Sequence, residues 1–171
     1  SAFNKCVEAL KAVFEIAREH GAVYVNPATE VSRATLPTKR LQLPSSAQFH
    51  AITKAIAEAG ARQSKDCADM VRVLAFSGVR LQEGAALRWQ HVDFVNNRLT
   101  VPGTKTTTSY RTLPLSSQLA AVFKEIQTRR GEESNDAPIL AVNECKGAMR
   151  SACKAVGVKN LTHHDLRHLF A

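Results

Sequence analysis

The stretch Met70-Val71-Arg72-Val73-Leu74-Ala75-Phe76 most limits how this chain can fold. Only Arg72 interrupts it, so a helix running from about Lys65 to Phe76 is apolar nearly all round at its end and belongs inside a core. Gly78 follows, where a glycine can close a helix in the left-handed conformation. A helix of this kind needs neighbours on several sides, and the flanking sequence supplies them. Phe49, Ile52 and Ile56 recur at helical spacing behind a Ser45 or Ser46 cap and stop at Gly60. Leu119, Ala120, Phe123 and Ile126 do the same behind Ser116 or Ser117 and stop before Gly131. Ala148 to Val156 make a further helix ending at Gly157, and a short one starts after Val79, carrying Arg80, Glu83, Leu87 and Arg88.

Between these helices the period changes to two. His91-Val92-Asp93-Phe94-Val95, a turn at Asn96-Asn97 and Arg98-Leu99-Thr100-Val101 predict a hairpin, and Arg111-Thr112-Leu113-Pro114-Leu115 a third strand. Pro114 restricts that strand to an edge or its end. The expected fold class is therefore α+β, mostly helical, with one small three-stranded antiparallel sheet. Upstream, Phe3, Cys6, Val7, Leu10, Val13, Phe14 and Ala17 predict an N-terminal helix closed near Gly21, with an apolar stripe broad for a lone helix. Pro27, Pro37 and Pro44, with the basic pair Lys39-Arg40, then read as an extended linker. The expected divisions are residues 1–26, a linker over 27–44, and a domain over 45–171.

The charge balance narrows the partner. Twenty-three Lys and Arg against 15 Asp and Glu give +8, which favours a polyanion such as nucleic acid. Between Asp93 and Glu125 the only charged residues are Arg98, Lys105, Arg111 and Lys124; between Glu144 and Asp165 they are Lys146, Arg150, Lys154 and Lys159. Four scattered cysteines without a C-x-x-C pair suggest neither zinc nor a disulfide framework. No run approaches a membrane span and the N-terminus lacks a signal-peptide pattern, so a cytoplasmic protein is the expectation.

The last ten residues, Thr162-His163-His164-Asp165-Leu166-Arg167-His168-Leu169-Phe170-Ala171, concentrate imidazoles and a guanidinium. On a helix, His164, Arg167 and His168 share one face at i, i+3 and i+4 while Leu166, Leu169 and Phe170 turn to a core. That is an anion grip or a solvated helix when read alone; His163 reads as a capping or surface residue. Taken with Ser77-Gly78-Val79-Arg80-Leu81-Gln82-Glu83, with Leu87-Arg88-Trp89, and with Lys105 ahead of Arg111-Thr112-Leu113-Pro114-Leu115, the order resembles the catalytic domain of the tyrosine recombinases, the phage integrase family. The resemblance covers about residues 45–171, and the N-terminal helix is similar to the last helix of the DNA core-binding domain that precedes it.

The resemblance implies an enzyme that breaks and rejoins DNA at specific sites through a 3′-phosphotyrosyl intermediate, as a tetramer on double-stranded DNA, with no cofactor. It makes Arg80, Lys105, His164 and Arg167 catalytic, with Glu83 and His168 supporting; Arg111, Lys39 and Arg40 are candidate DNA contacts. The chemistry agrees. A phosphodiester under attack gathers charge on its nonbridging oxygens, which planar guanidiniums can grip, and a lysine among cations can protonate the leaving oxygen. Read singly, Arg80 with Glu83 is also an ordinary i, i+3 ion pair, and Lys105 an ordinary loop lysine.

The family's nucleophile is a tyrosine downstream of the H-x-x-R pair. Tyr24 and Tyr110 are the only tyrosines here and neither matches that position, so the expectation is a fragment that binds DNA without cleaving it. Two other classes fit the residues: a noncatalytic DNA-binding module of the same fold, and a strand-cleaving enzyme of the type IB topoisomerase kind.

Overall fold

The computed structural model describes residues 2–35, 42–103 and 110–169. The chain divides into two compact units, Ser1–Arg40 and Leu41–Ala171.

In the first unit α1 spans Ala2–Glu19, and Gly21 takes φ +71°, the left-handed conformation that suits glycine after a helix. The following segment, expected to run extended, returns along α1. The Asn26 side chain donates to the Lys11 carbonyl at 2.9 Å and accepts from Ala28 N at 3.0 Å. Arg33 Nε donates to Glu8 at 2.7 Å, and Ala34 N donates to Asn4 Oδ1 at 2.8 Å. Side-chain polar bonds thus supply the regular partners that Pro27 and its neighbours cannot, and they cover Val7 and Ala28. Phe3, Leu10, Val13 and Ile16 remain exposed on α1.

The second unit is built on α3 (Ser64–Ser77), the helix expected at its centre. Met70, Val71, Val73 and Leu74 have no solvent exposure. Around α3 pack α2 (Ser46–Ala57), α4 (Leu81–Ala85), α5 (Ser117–Arg130) and α7 (His163–Arg167), while α6 (Lys146–Val156) packs on α2. Ser45 caps α2 through a capping box with Gln48, and Ser116 caps α5 by accepting from Leu119 N at 3.2 Å. Gly78 and Gly157 close α3 and α6 at φ +63° and +73°. One buried carboxylate stitches the helices: Asp69, 3% exposed, accepts from Arg72 at 2.6 Å and from Arg129 of α5 at 2.5 Å. Paired on both sides, it avoids the cost of an unmatched buried charge.

The sheet has the order β1-β2-β3, antiparallel throughout, with β1 at Val92–Asp93, β2 at Arg98–Val101 and β3 at Arg111–Pro114. Pro114 does lie on an edge strand. The first strand is shorter than its alternation predicts, for two local reasons. Trp89–His91 forms a 3-10 turn, and the Asp93 carboxylate accepts from Val95 N and Asn96 N at 3.0 and 2.9 Å, bending the chain where a ladder would otherwise continue. Leu99 and Val101 turn into the core, where Trp89 meets Phe123 edge to face. The architecture is mostly helical with a small three-stranded antiparallel sheet, as expected.

Candidate active site

Arg80 stands at the junction between α3 and α4. Gly78 turns the chain, Val79 is buried, and Arg80 occupies the cap position of α4 with its side chain 65% exposed. The seat beneath it is tight. A Cβ on Gly84 would lie 2.8 Å from Leu74 Cδ2, so only glycine lets α4 sit this close to α3.

Glu83, one turn into α4, is 4% exposed and ionised. Its oxygens accept from Arg80 N at 2.8 Å and Arg80 Nη1 at 2.9 Å, and from Arg111 Nη1 and Nη2 at 3.0 and 2.7 Å. The Arg111 fork, foremost among these partners, holds the carboxyl well down, to about 2. Arg111 reaches it because β3 alternates: Arg111 and Leu113 are half-buried while Thr112 and Pro114 are exposed. An arginine on the inward face of a strand signals a buried acid, although nothing in the chain order says which one. Tyr110, just before β3, is 62% exposed, and Tyr24 is fully exposed.

The closing helix α7 is short, with Thr162 capping it by accepting from Asp165 N at 3.3 Å. Leu166 is fully buried and pins α7 to the core around α3. His164 and His168 lie on one face with ring centroids 5.1 Å apart, and Arg167 falls between them, half-buried. Arg167 Nη1 is buried and makes no hydrogen bond among the described residues. Native proteins seldom leave a buried cationic donor so, and where they do a ligand is a common reason.

His163 is not a surface residue. It is half-buried, and its Nε2 accepts from Cys145 N at 3.2 Å and lies 3.3 Å from Cys145 Sγ, joining the start of α7 to the start of α6. Burial lowers the His163 pKa, and burial raises the Cys145 thiol to about 12, so the pair is a neutral tether.

The structure therefore forms two clusters, carried by elements that pack against α3. Arg80, Glu83 and Arg111 gather at the end of α3; His164, Arg167 and His168 gather on α7, which packs against α3. Among the described residues no hydrogen bond links one cluster to the other. Lys105, Lys39 and Arg40 lie outside the described residues. Also among the described residues, no group of His, Cys, Asp and Glu is placed to hold a metal ion, and no helix is long and apolar enough to cross a membrane.

The phage integrase family model matches residues 42–171. Among solved structures, the Tn1549 transposon integrase in complex with a circular intermediate DNA matches 99% of this chain at 19% identity and a TM-score of 0.75. A lambda integrase dimer bound to a COC′ core site matches 98% at 19% identity and a TM-score of 0.72. XerA recombinase matches 96% at 20% identity and a TM-score of 0.58. The chain spans 65%, 50% and 58% of those three chains, respectively. The comparison with curated proteins found no match.

Proposed function

The chain belongs to the phage integrase family, and on that premise we propose that the intact protein is a site-specific DNA recombinase that breaks and rejoins DNA through a 3′-phosphotyrosyl intermediate. Arg80 and Arg167 grip the nonbridging oxygens of the scissile phosphate, where negative charge grows as the tyrosine attacks. Lys105 protonates the leaving 5′ oxygen. His164 shapes the phosphate site, His168 supports its ring, and Glu83 orients Arg80. Double-stranded DNA is the substrate, and a tetramer spanning two sites is the working assembly.

The observation that carries this reading is Arg167. A guanidinium anchored by the fully buried Leu166 beside it, flanked by His164 and His168, keeps one buried nitrogen unpartnered. A phosphate oxygen is the acceptor that suits it. The transposon and lambda integrases of similar fold were solved on DNA, which agrees with a DNA substrate.

The test is a nicked duplex carrying the protein's own recombination site, from which the severed 5′ strand diffuses away and traps the intermediate. The full-length protein is expected to accumulate a denaturation-resistant protein-DNA adduct, and the 171-residue chain to bind DNA without one, because neither Tyr24 nor Tyr110 matches the nucleophile. An adduct on Tyr24 or Tyr110 would overturn the assignment of the nucleophile. Absence of any adduct from the full-length protein on its site would overturn the recombinase reading.

A further inference from the structure

Glu83 poses a problem for any role of Arg80 at a phosphate. A lone carboxylate bonded to a lone guanidinium forms a neutral pair, and an incoming phosphate would feel little net attraction from it. Glu83 cannot be swung away, because it is 4% exposed and its Oε2 accepts from Arg80 N at 2.8 Å. The structure resolves the problem with a second cation. Arg111 approaches from β3 with both terminal nitrogens, Nη1 to Oε1 at 3.0 Å and Nη2 to Oε2 at 2.7 Å, whereas the Arg80 side chain gives only Nη1, at 2.9 Å.

Each carboxylate oxygen thus takes two donors, which fills its capacity. Two arginines against one acid leave a single net positive charge in the cluster. Exposure says where that charge is presented: the Arg80 side chain is 65% exposed and the Arg111 side chain 35%. The nitrogens Nε and Nη2 of Arg80 donate to no acceptor among the described residues. Arg111 is therefore turned inward and committed, and Arg80 is turned outward with donors to spare.

From this geometry we infer that Arg111 is a positioning residue for Arg80. It neutralises and aligns Glu83 so that the Arg80 guanidinium faces the DNA phosphate as an uncompensated cation. Arg111 acts through Glu83 and does not itself touch DNA. The inference rests on the phosphate role proposed for Arg80, and it assigns Arg111 a different task from a direct DNA contact.

Two measurements test it, one of them independent of DNA. Without Arg111, Glu83 draws its bonds from Arg80 alone, so Arg80 becomes better shielded. Phenylglyoxal, followed by peptide mass spectrometry, is expected to modify Arg80 severalfold more slowly in Arg111→Met than in the wild type. Unchanged or faster modification would overturn the inference, since a merely loosened structure exposes Arg80 instead of covering it. Arg111→Lys, which keeps a cation on Glu83 without the fork, is expected to fall between the two and serves if the methionine variant does not fold.

The second measurement is equilibrium binding of duplex DNA by the full-length protein. Arg111→Met is expected to weaken it about tenfold, worth about 1.4 kcal/mol, and Glu83→Gln added to Arg111→Met is expected to restore most of the loss. A loss that Glu83→Gln leaves untouched, or no loss at all, would overturn the inference. Should Arg80→Ala bind DNA as the wild type does, the phosphate role of Arg80 fails, while the phenylglyoxal result still decides whether Arg111 releases Arg80 from Glu83.

Discussion

Glu83 and His163 set how the site residues respond to pH. The folded state depresses the Glu83 carboxyl to about 2, first through the Arg111 fork, so folding favours the ionised form. Its ion pairs contribute fully above the ordinary carboxylate pKa of about 4.3, and the contribution is lost as pH falls from there through about 2. Thermal midpoints measured down this range should drop, and the drop should be shallower in Glu83→Gln. His163 titrates in a higher window. Burial lowers its pKa, and Nε2 must stay unprotonated to accept from Cys145 N. The tether is complete above the ordinary imidazole pKa of about 6.5 and weakens as pH falls below it. His91 behaves alike, its Nδ1 accepting from Arg88 N and its pKa lowered by burial, so it belongs in the same experiment. Hydrogen exchange at Cys145 N is expected to speed up as pH falls from about 6.5 to 5, after correction for intrinsic rates; in His163→Leu it should be fast throughout.

At the scale of elements, α4 depends on one missing methyl. Leu74 is fully buried, so its Cδ2 has no space into which to retreat from a Cβ at Gly84. Gly84→Ala is expected to cost about 1–3 kcal/mol in urea unfolding and to displace α4 with Arg80 at its head. Adding Leu74→Val should recover part of that cost, a coupling that independent sites would not show. Much of the element pattern could be read in the chain order. Met70 to Phe76 announced a central helix, Gly78 its end, Gly157 the end of α6, and Pro114 an edge strand, because each is a local constraint on backbone or burial. The strand β1 could not be read as well: Asp93 spends its carboxylate on Val95 N and Asn96 N, a competition between side chain and ladder that alternation does not register. Nor could the return of residues 26–34 along α1, which rests on Asn4 and Asn26 bonding across long separations.

The site shows the same division. Arg80, Glu83, His164 and Arg167 are singled out by the resemblance to the family's motifs, and their i, i+3 spacing predicts only that the members of each pair are neighbours on a helix. Arg111 was seen as a basic residue but not as Glu83's partner, and His163 as a cap but not as Cys145's. Those pairs lie 28 and 18 residues apart, and only packing joins them.

Across the whole molecule, the net charge of +8 leads us to expect that the proposed binding of duplex DNA weakens steeply with salt. Removing one phosphate contact should lower the slope of log affinity against log salt by about 0.9. Arg80→Ala and Arg167→Ala are each expected to do so, whereas Arg98→Ala, on the sheet and apart from both clusters, should leave the slope closer to that of the wild type. The role proposed for Arg80 and Arg167 is narrower than affinity: to balance charge that grows on the scissile phosphate. The direct measurement is single-turnover adduct formation by the full-length protein on two nicked substrates, one with a normal scissile phosphate and one with a methylphosphonate, whose nonbridging charge is removed. Arg167→Ala should be slower than the wild type by about 10²–10³ on the phosphate and by far less on the methylphosphonate. An equal deficit on both substrates, or none on the phosphate, would contradict the account.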